Sequence, residues 1–267
     1  MQAHNRQQRL TALRDVIANI ERKPALAEMQ TRHLDAGAEG FASPSGGLLQ
    51  EVFTDAVRNG GASLGFALGQ SRTLLTQRRP AVLYLQLERD GQFFGLPYGP
   101  GLAAFGFDPD QLVIVRASDM RDMLWVAEEA LACQAVASIV ADIGGVPEPL
   151  DFTASRRLSL RAAEGGASLF LLRYGQERQA SAAHLRWHLT PLRSGRRRFD
   201  KNAPGPPRWG LKLEKGNAGQ HNLEWVLEWT ENGFKALPNQ NDQGSRTRPQ
   251  VPGAAPALLA DRLSQTA

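Results

Sequence analysis

The sequence predicts an α/β fold, a mostly parallel sheet flanked by helices and extended toward its C-terminal end by antiparallel strands in a hairpin. Between residues 48 and 175, short apolar runs of strand length alternate with longer amphipathic runs of helix length. The strand-length runs are apolar almost throughout, as strands buried on both faces are. Beyond residue 184 the rhythm changes to strict alternation, which suits antiparallel strands with one wet face.

In chain order, residues 6 to 22, RQQRLTALRDVIANIER, place Leu10, Leu13, Ile17 and Ile20 on one helix face, and Pro24 ends that helix. The face suits equally a helix lying on its own domain and a short seam for another chain. Residues 25 to 45 are poorly periodic and close in the loop signal SPSGG. LLQEVF then reads as a strand, ASLGFALGQSRTLLTQR as a helix, and AVLYLQL as a buried strand between Pro80 and ERDG. GLAAFGF, stopped by Asp108-Pro109, gives a short helix, and LVIVRA a strand. MRDMLWVAEEALAC follows as an amphipathic helix, VASIVADIGG as a strand with its turn, TASRRLSLRAAEGG as a helix and ASLFLLRYG as a strand. Strands and helices alternating in this way imply right-handed crossovers and a parallel sheet. LRWHLTPL, RWGLKLE and NLEWVLEW complete the set, with KGNAGQHN as the hairpin loop between the last two.

These readings divide the chain into an N-terminal helix (1–24), a core (25–235) and a tail (236–267) whose Pro, Gly, Asn and Gln content predicts disorder. Within the tail, PALLADRLSQ has the spacing of a short helix, with Leu258, Leu259 and Leu263 as a partner-binding face. No apolar run reaches the roughly 20 residues of a membrane span and no signal peptide opens the chain, so a cytoplasmic protein is expected. The single cysteine, Cys133, excludes an intramolecular disulfide and a cysteine-based zinc site, and its apolar surroundings predict a core thiol. The formal net charge of +4 is compatible with nucleic acid.

The candidate chemistry lies at AVRNGGAS, residues 56 to 63, between a strand and a helix where a nucleotide-binding domain keeps its phosphate loop. On the template G-x-x-x-x-G-K-[ST], Gly61 and Ser63 fit, Ala56 replaces the first glycine, and Ala62 replaces the lysine that holds the outer phosphates. No lysine occurs from 24 to 200 to stand in for it, and Arg58 sits where side chains point away from the ligand. Asp142, closing VASIVAD, is placed as a magnesium-holding aspartate would be, and Glu88, after AVLYLQL, as an acid that polarises an attacking water. Each also reads as an ordinary strand-end or turn carboxylate. With the lysine missing, the loop is expected to be vestigial, with no nucleotide, metal or other cofactor and no catalysis. His184 and His188 fall on one face of a strand with no carboxylate beside them, which predicts structural roles. The stretch from 193 to 209 gathers Arg193, Arg196, Arg197, Arg198, Lys201 and Arg208 around Phe199 and Trp209. Guanidinium groups with interleaved rings suit a single-stranded nucleic-acid surface, and a solvated hairpin loop explains them as well.

The order of segments resembles a RecA-type core and, more closely, the ImuA family of RecA-like accessory proteins of bacterial inducible mutagenesis. The residues that carry the resemblance are GGLLQEVF, LYLQLE, YGPGLAAFGFDPDQLVIVRASDMRDMLWVAEEAL, VADIGG, LDFTASRRLSLRAAEGGASLFLLR, SAAHLRWHL and PRWGLKLEKGNAGQHNLEWVLEW. They run from about 45 to 234, and Tyr98 to Leu112 is the most specific part. The resemblance implies a non-catalytic adaptor in SOS-induced translesion DNA synthesis and DNA repair, associated with the nucleoid when active. It also implies ImuB and an error-prone C-family DNA polymerase as partners, with self-association as a further expectation. Two other functions remain open beside it, a single-stranded DNA-binding module and a cell-division inhibitor similar to SulA. In recombinases the two DNA-gripping loops occupy links that are short here, GGVPEPLDF and YGQERQAS, so strand exchange is not expected.

Overall fold

The computed structural model describes residues 41, 43, 45–91, 95–197, 199–200, 203–216 and 223–238. The N-terminal face of Leu10, Leu13, Ile17 and Ile20 lies outside them, as do Leu258, Leu259 and Leu263 of the tail, Arg198 and Lys201.

The strands are β1 (Leu49–Thr54), β2 (Ala81–Leu87), β3 (Leu112–Ala117), β4 (Val136–Ile143), β5 (Ser168–Tyr174), β6 (Leu185–Leu192), β7 (Arg208–Lys215), β8 (Glu224–Thr230) and β9 (Gly233–Leu237). They form one sheet in the order β3-β2-β4-β5-β1-β6-β7-β8-β9. The first six in that order run parallel, and β7, β8 and β9 add antiparallel hairpins. The helices are α1 (Gly60–Leu74), α2 (Gly99–Ala104), α3 (Met120–Ala132) and α4 (Phe152–Gly165). This is the α/β architecture expected, and it is consistent with a RecA-like core.

Residue parity assigns the two faces. Leu49, Leu169 and Leu171 pack under α3 and α4, whose buried residues Met123, Leu124, Leu131 and Leu158 complete that half of the core. Val52, Val140, Phe170 and Leu172 pack under α1 and α2 together with Trp187, Trp209, Leu227 and Trp229 of the later strands. Asp119 and Asp151 cap α3 and α4 by accepting hydrogen bonds from amides of the first turn, which fixes where each begins.

Aromatic rings bind the antiparallel strands to α1. Phe66, Trp187, Trp209, Trp229, Phe234, Phe105 and Phe41 form a chain of contacts with centroids 5.0–6.3 Å apart. Gly65 and Gly69 make this approach available. A β-carbon at Gly69 would stand 2.6 Å from Phe234 Cζ and 2.8 Å from Trp229 Cζ3, and one at Gly65 3.0 Å from Phe105 Cζ. The glycines therefore form the groove into which the rings fit, although glycine weakens a helix by about 1 kcal/mol relative to alanine.

Two expectations are corrected. Cys133 is exposed: α3 ends at Ala132, and the cysteine sits in the turn before β4, so the apolar run is two elements and a bend. β9 also pairs beyond β8, although GFKAL showed no strand-length apolar run.

Candidate functional site

In open α/β sheets ligands bind beyond the carboxyl ends of the strands, where connections leave in opposite directions. Here that place is the β1–α1 loop beneath the ends of β4 and β5. The loop closes on itself. Residues Val57–Asn59 form a 3-10 turn in which the Asn59 amide donates to the Ala56 carbonyl at 2.9 Å and the Gly60 amide to the Val57 carbonyl. Asn59 Nδ2 donates to Thr54 Oγ1 at 3.1 Å. A phosphate loop instead holds such amides open toward the ligand. Ala62 packs against the apolar core, and its carbonyl accepts from Trp209 Nε1 at 3.0 Å. Ser63 is fully buried, with no hydrogen-bond partner for Oγ among the described residues. Arg58, Gly61 and Glu88 are exposed.

Asp142 points from the end of β4 toward α1 and is 3% exposed. Tyr84 Oη, from β2, donates to its Oδ2 at 2.8 Å, and Tyr174 Oη, from β5, donates to its Oδ1 at 2.7 Å. Gln86 Nε2 donates to Tyr84 Oη at 3.2 Å and to the Gly95 carbonyl at 2.9 Å. Burial holds the Asp142 carboxyl above the usual carboxylate range, outweighing the two phenol hydrogen bonds that favour its ionised form. Burial, and then the adjacent carboxylate, push both phenols well above their ordinary value, so they remain donors.

Tyr174 also occupies the space in front of the helix. A β-carbon on Gly60 would stand 3.0 Å from Tyr174 Oη, so the phenol fills the gap between the first turn of α1 and Asp142. A nucleotide triphosphate with its magnesium needs a cation at position 62, free loop amides and an aspartate open to the metal. The residues present do not fit that group.

No protein-family model matches the chain. Protein ImuA from two strains of Caulobacter vibrioides is 33% identical to it over 189 residues, covering 67% of this chain and 72% of the relative. The chain belongs to the ImuA family. In this family member Ala62 and Ser63 of the β1–α1 loop pack into the core, and Tyr174 stands between Gly60 and Asp142.

The nucleic-acid candidates lie on the connection between β6 and β7. Gly195 donates its amide to the Pro206 carbonyl at 2.9 Å, and Arg196 bridges to Pro204, so the strand pair continues outward as a loop. Arg193, Arg196 and Arg197 are exposed, and Phe199 beside them is 93% exposed. Arg208 instead forms an ion pair with Glu228 on β8, and Arg197 Nε donates to the Pro204 carbonyl at 3.0 Å.

The histidine expectation needs correction: His188 does have carboxylate company, its Nε2 lying 3.0 Å from Asp55 Oδ1. The parallel pairing of β1 with β6 brings together residues 133 positions apart, a contact that local spacing does not reveal. His184 accepts from the Leu49 amide through Nδ1 at 3.0 Å, a structural role.

Sequence reasoning missed a second buried polar site, on the opposite face of β1. Glu51, 2% exposed, accepts at Oε2 from Arg186 Nε and from Ser181 Oγ, both at 2.8 Å. Arg178 clasps Glu214 at 2.8 and 3.2 Å, and Arg178, Arg186 and Arg173 stand 4.0, 5.5 and 5.7 Å from the Phe53 ring centroid. Burial, outweighing the nearby Glu51 charge, pulls the Arg173 guanidinium below its ordinary value. The short link after β5 lies back on this cluster: Arg178 Nη1 donates to the Gly175 carbonyl, Arg186 Nη2 to the Gln179 carbonyl and Lys215 Nζ to the Ser181 carbonyl. The available signal was the pair Gln-Glu inside an otherwise apolar strand.

Among the described residues no helix is long and apolar enough to cross a membrane.

Proposed function

We propose that this chain is a non-catalytic RecA-like adaptor in SOS-induced mutagenesis, joining ImuB and an error-prone C-family DNA polymerase in a translesion-synthesis complex. Family membership supports the mutagenesis setting. The observation that carries the non-catalytic part is the sealing of Asp142 by Tyr84 and Tyr174, with Tyr174 Oη against Gly60. A fold that has filled its nucleotide position with its own side chains retains its surfaces as working parts. Purified full-length protein should release phosphate from adenosine triphosphate at background rate, with or without single-stranded DNA. Release well above background that is lost in Asp142→Ala overturns the non-catalytic part. A pull-down from DNA-damaged cells should recover ImuB and the polymerase; recovery of the division-ring protein instead would select the SulA-like role.

A second reading, direct contact with single-stranded DNA, is favoured by one observation: Arg193, Arg196 and Arg197 are exposed beside the exposed ring of Phe199. Binding of this kind is weak, indifferent to sequence and steeply salt-dependent. Fluorescence anisotropy with a labelled oligonucleotide should show a lower affinity and a shallower salt slope for Arg193→Ala/Arg196→Ala/Arg197→Ala. Identical curves for variant and wild type exclude this loop.

A further inference from the structure

A cavity of about 670 Å³ opens where the end of α1, α2, the β8–β9 turn and the β6–β7 connection meet. That volume lies within the roughly 300–1,000 Å³ of pockets that hold small ligands. Arg72, Ala104, Arg197, Pro206, Pro207 and Trp229 line it. Arg72 is held in place as a wall. Its Nη1 donates to the Phe105 carbonyl at 3.1 Å and to the Glu231 carbonyl at 3.3 Å, and its guanidinium carbon stands 5.7 Å from the centroid of the Trp229 ring. Gly106, at φ 67°, gives this guanidinium its room, since a β-carbon there would stand 2.8 Å from Arg72 Cζ and from Nη1. Nε and Nη2 of Arg72, and both Nη groups of Arg197, have no hydrogen-bond partner among the described residues. The carboxylates of the lining do not offset these cations: Glu228 is paired with Arg208, and Glu231 is one charge against two.

We propose that this cavity holds one unpaired base of a DNA single strand whose phosphates run over Arg193, Arg196 and Arg197, a site that rests on the single-stranded DNA reading above. Guanidinium N–H groups left without acceptors fit an oxyanion, carboxylate or phosphate. The cations outside the cavity separate the two. Arg193 and Arg196 are exposed on the same connection as Arg197, and their side chains have no partner among the described residues. A single carboxylate uses one such group, whereas a polyphosphate backbone uses the whole set. The cavity beside them is walled by flat groups, the Arg72 guanidinium and the rings of Pro206 and Pro207. Unpaired bases stack on guanidinium planes as they do on aromatic rings. Arg72 presents such a plane already fixed, by two carbonyls and by Trp229. In a duplex the base is paired and stacked, and withdrawing it costs a few kcal/mol, so the cavity selects single strands where the surface cations alone would not.

Base and phosphate are separable by experiment. Fluorescence anisotropy at low salt compares a labelled oligothymidylate of about ten nucleotides with an abasic strand of equal length, which keeps the phosphates and lacks the bases. Full-length wild type should bind the thymidylate about tenfold more tightly, within what one stacked base contributes. Arg72→Lys keeps the charge and loses the plane, and Ala104→Trp fills the cavity from an exposed position on α2. Each should remove the preference and leave the abasic affinity unchanged, with an unchanged far-UV spectrum. Arg193→Ala/Arg196→Ala should instead weaken both strands alike. Equal affinity of wild type for the two strands overturns the base pocket and leaves the single-stranded DNA reading standing, whereas binding to neither overturns both. A thymidylate preference that survives in either Arg72→Lys or Ala104→Trp puts the base elsewhere and overturns the assignment. So does a labelled polyglutamate peptide that binds more tightly than the thymidylate and weakens in Arg72→Lys, which would give the cavity to an acidic protein segment.

Discussion

Asp142, near the carboxyl end of β4, and Glu51, in the middle of β1, are both buried carboxylates, 3% and 2% exposed, and they project from opposite faces of one sheet. Asp142 receives two neutral phenols. Glu51 receives a guanidinium and a serine, with two more guanidinium groups close by on Phe53. A phenol satisfies an oxygen without returning the charge stabilisation that water supplied, so burial still dominates at Asp142 and its carboxyl rises. At Glu51 the desolvation of the carboxylate is met by cations that are themselves buried and need it in return. The first arrangement seals the end of β4 against the first turn of α1; the second fixes the short link after β5. The contrast predicts that breaking the charged cluster costs more than breaking the neutral one.

The largest effect should come from Glu51→Ala. It leaves Arg186 and Arg173 buried without their shared counter-charge, and removing one partner of a buried ion pair destabilises by about 3–5 kcal/mol. Urea denaturation measures it. A loss below about 1 kcal/mol, the value of an exposed pair, would mean that the cluster admits water and that the contrast is false. Glu214→Ala should cost less, because Arg178 and Glu214 are only partly buried. There burial pushes the Glu214 carboxyl up, but the hydrogen bond and charge of Arg178, with His188 and Arg186, bring it below its usual value.

Tyr174→Phe should rank second. It strips one donor from a buried Asp142 oxygen and leaves that oxygen unsatisfied, a cost of about 1–3 kcal/mol. It also vacates the space in front of Gly60. If nucleotide were excluded by the phenol alone, Tyr174→Phe would bind a fluorescent triphosphate analogue that wild type does not. The spent loop amides and Ala62 predict no such gain.

Much of the core was legible because it repeats a local rule. Each strand from β1 to β5 is a short apolar run and α3 is amphipathic, so AVLYLQL or MRDMLWVAEEALA declares itself without reference to the rest of the chain. The site was legible only at one end. Ala62 and Asp142 stand out against a template, whereas Tyr84 and Tyr174 look like core aromatics until β2, β4 and β5 are set side by side. The chain has three tyrosines, and two of them converge on one carboxylate, which only the strand order reveals. Gln50 and Glu51 were a visible irregularity in β1. Their partners Trp187 and Arg186 come from a strand more than 130 residues away, across a pairing that no local pattern specifies.

The smallest effect is also the one that reads how burial shifts the proton affinity of Asp142. A neutral aspartic acid offers one carbonyl acceptor and one hydroxyl donor, and asparagine offers one acceptor and one amide donor, so Asp142→Asn imitates the protonated residue at nearly equal volume. One phenol can rotate its hydrogen to accept, and the hydrogen-bond count is kept. Because the folded carboxyl sits above its ordinary value of 3.8, the native state holds the proton more tightly than the unfolded chain. The stability this group contributes is therefore full below the unfolded value and is lost as pH rises through the folded one. The Asn variant has no such loss. Urea midpoints of wild type and Asp142→Asn should nearly coincide near pH 4, about where an unfolded aspartate titrates, and the variant should gain on wild type as pH rises toward neutrality. The two phenols titrate far above this window and do not contribute to the trend. Parallel pH curves, or a wild type that gains on the variant, would show that the phenols stabilise the ionised carboxylate after all. The site would then be charged, like that of Glu51, and an open metal position would return to consideration.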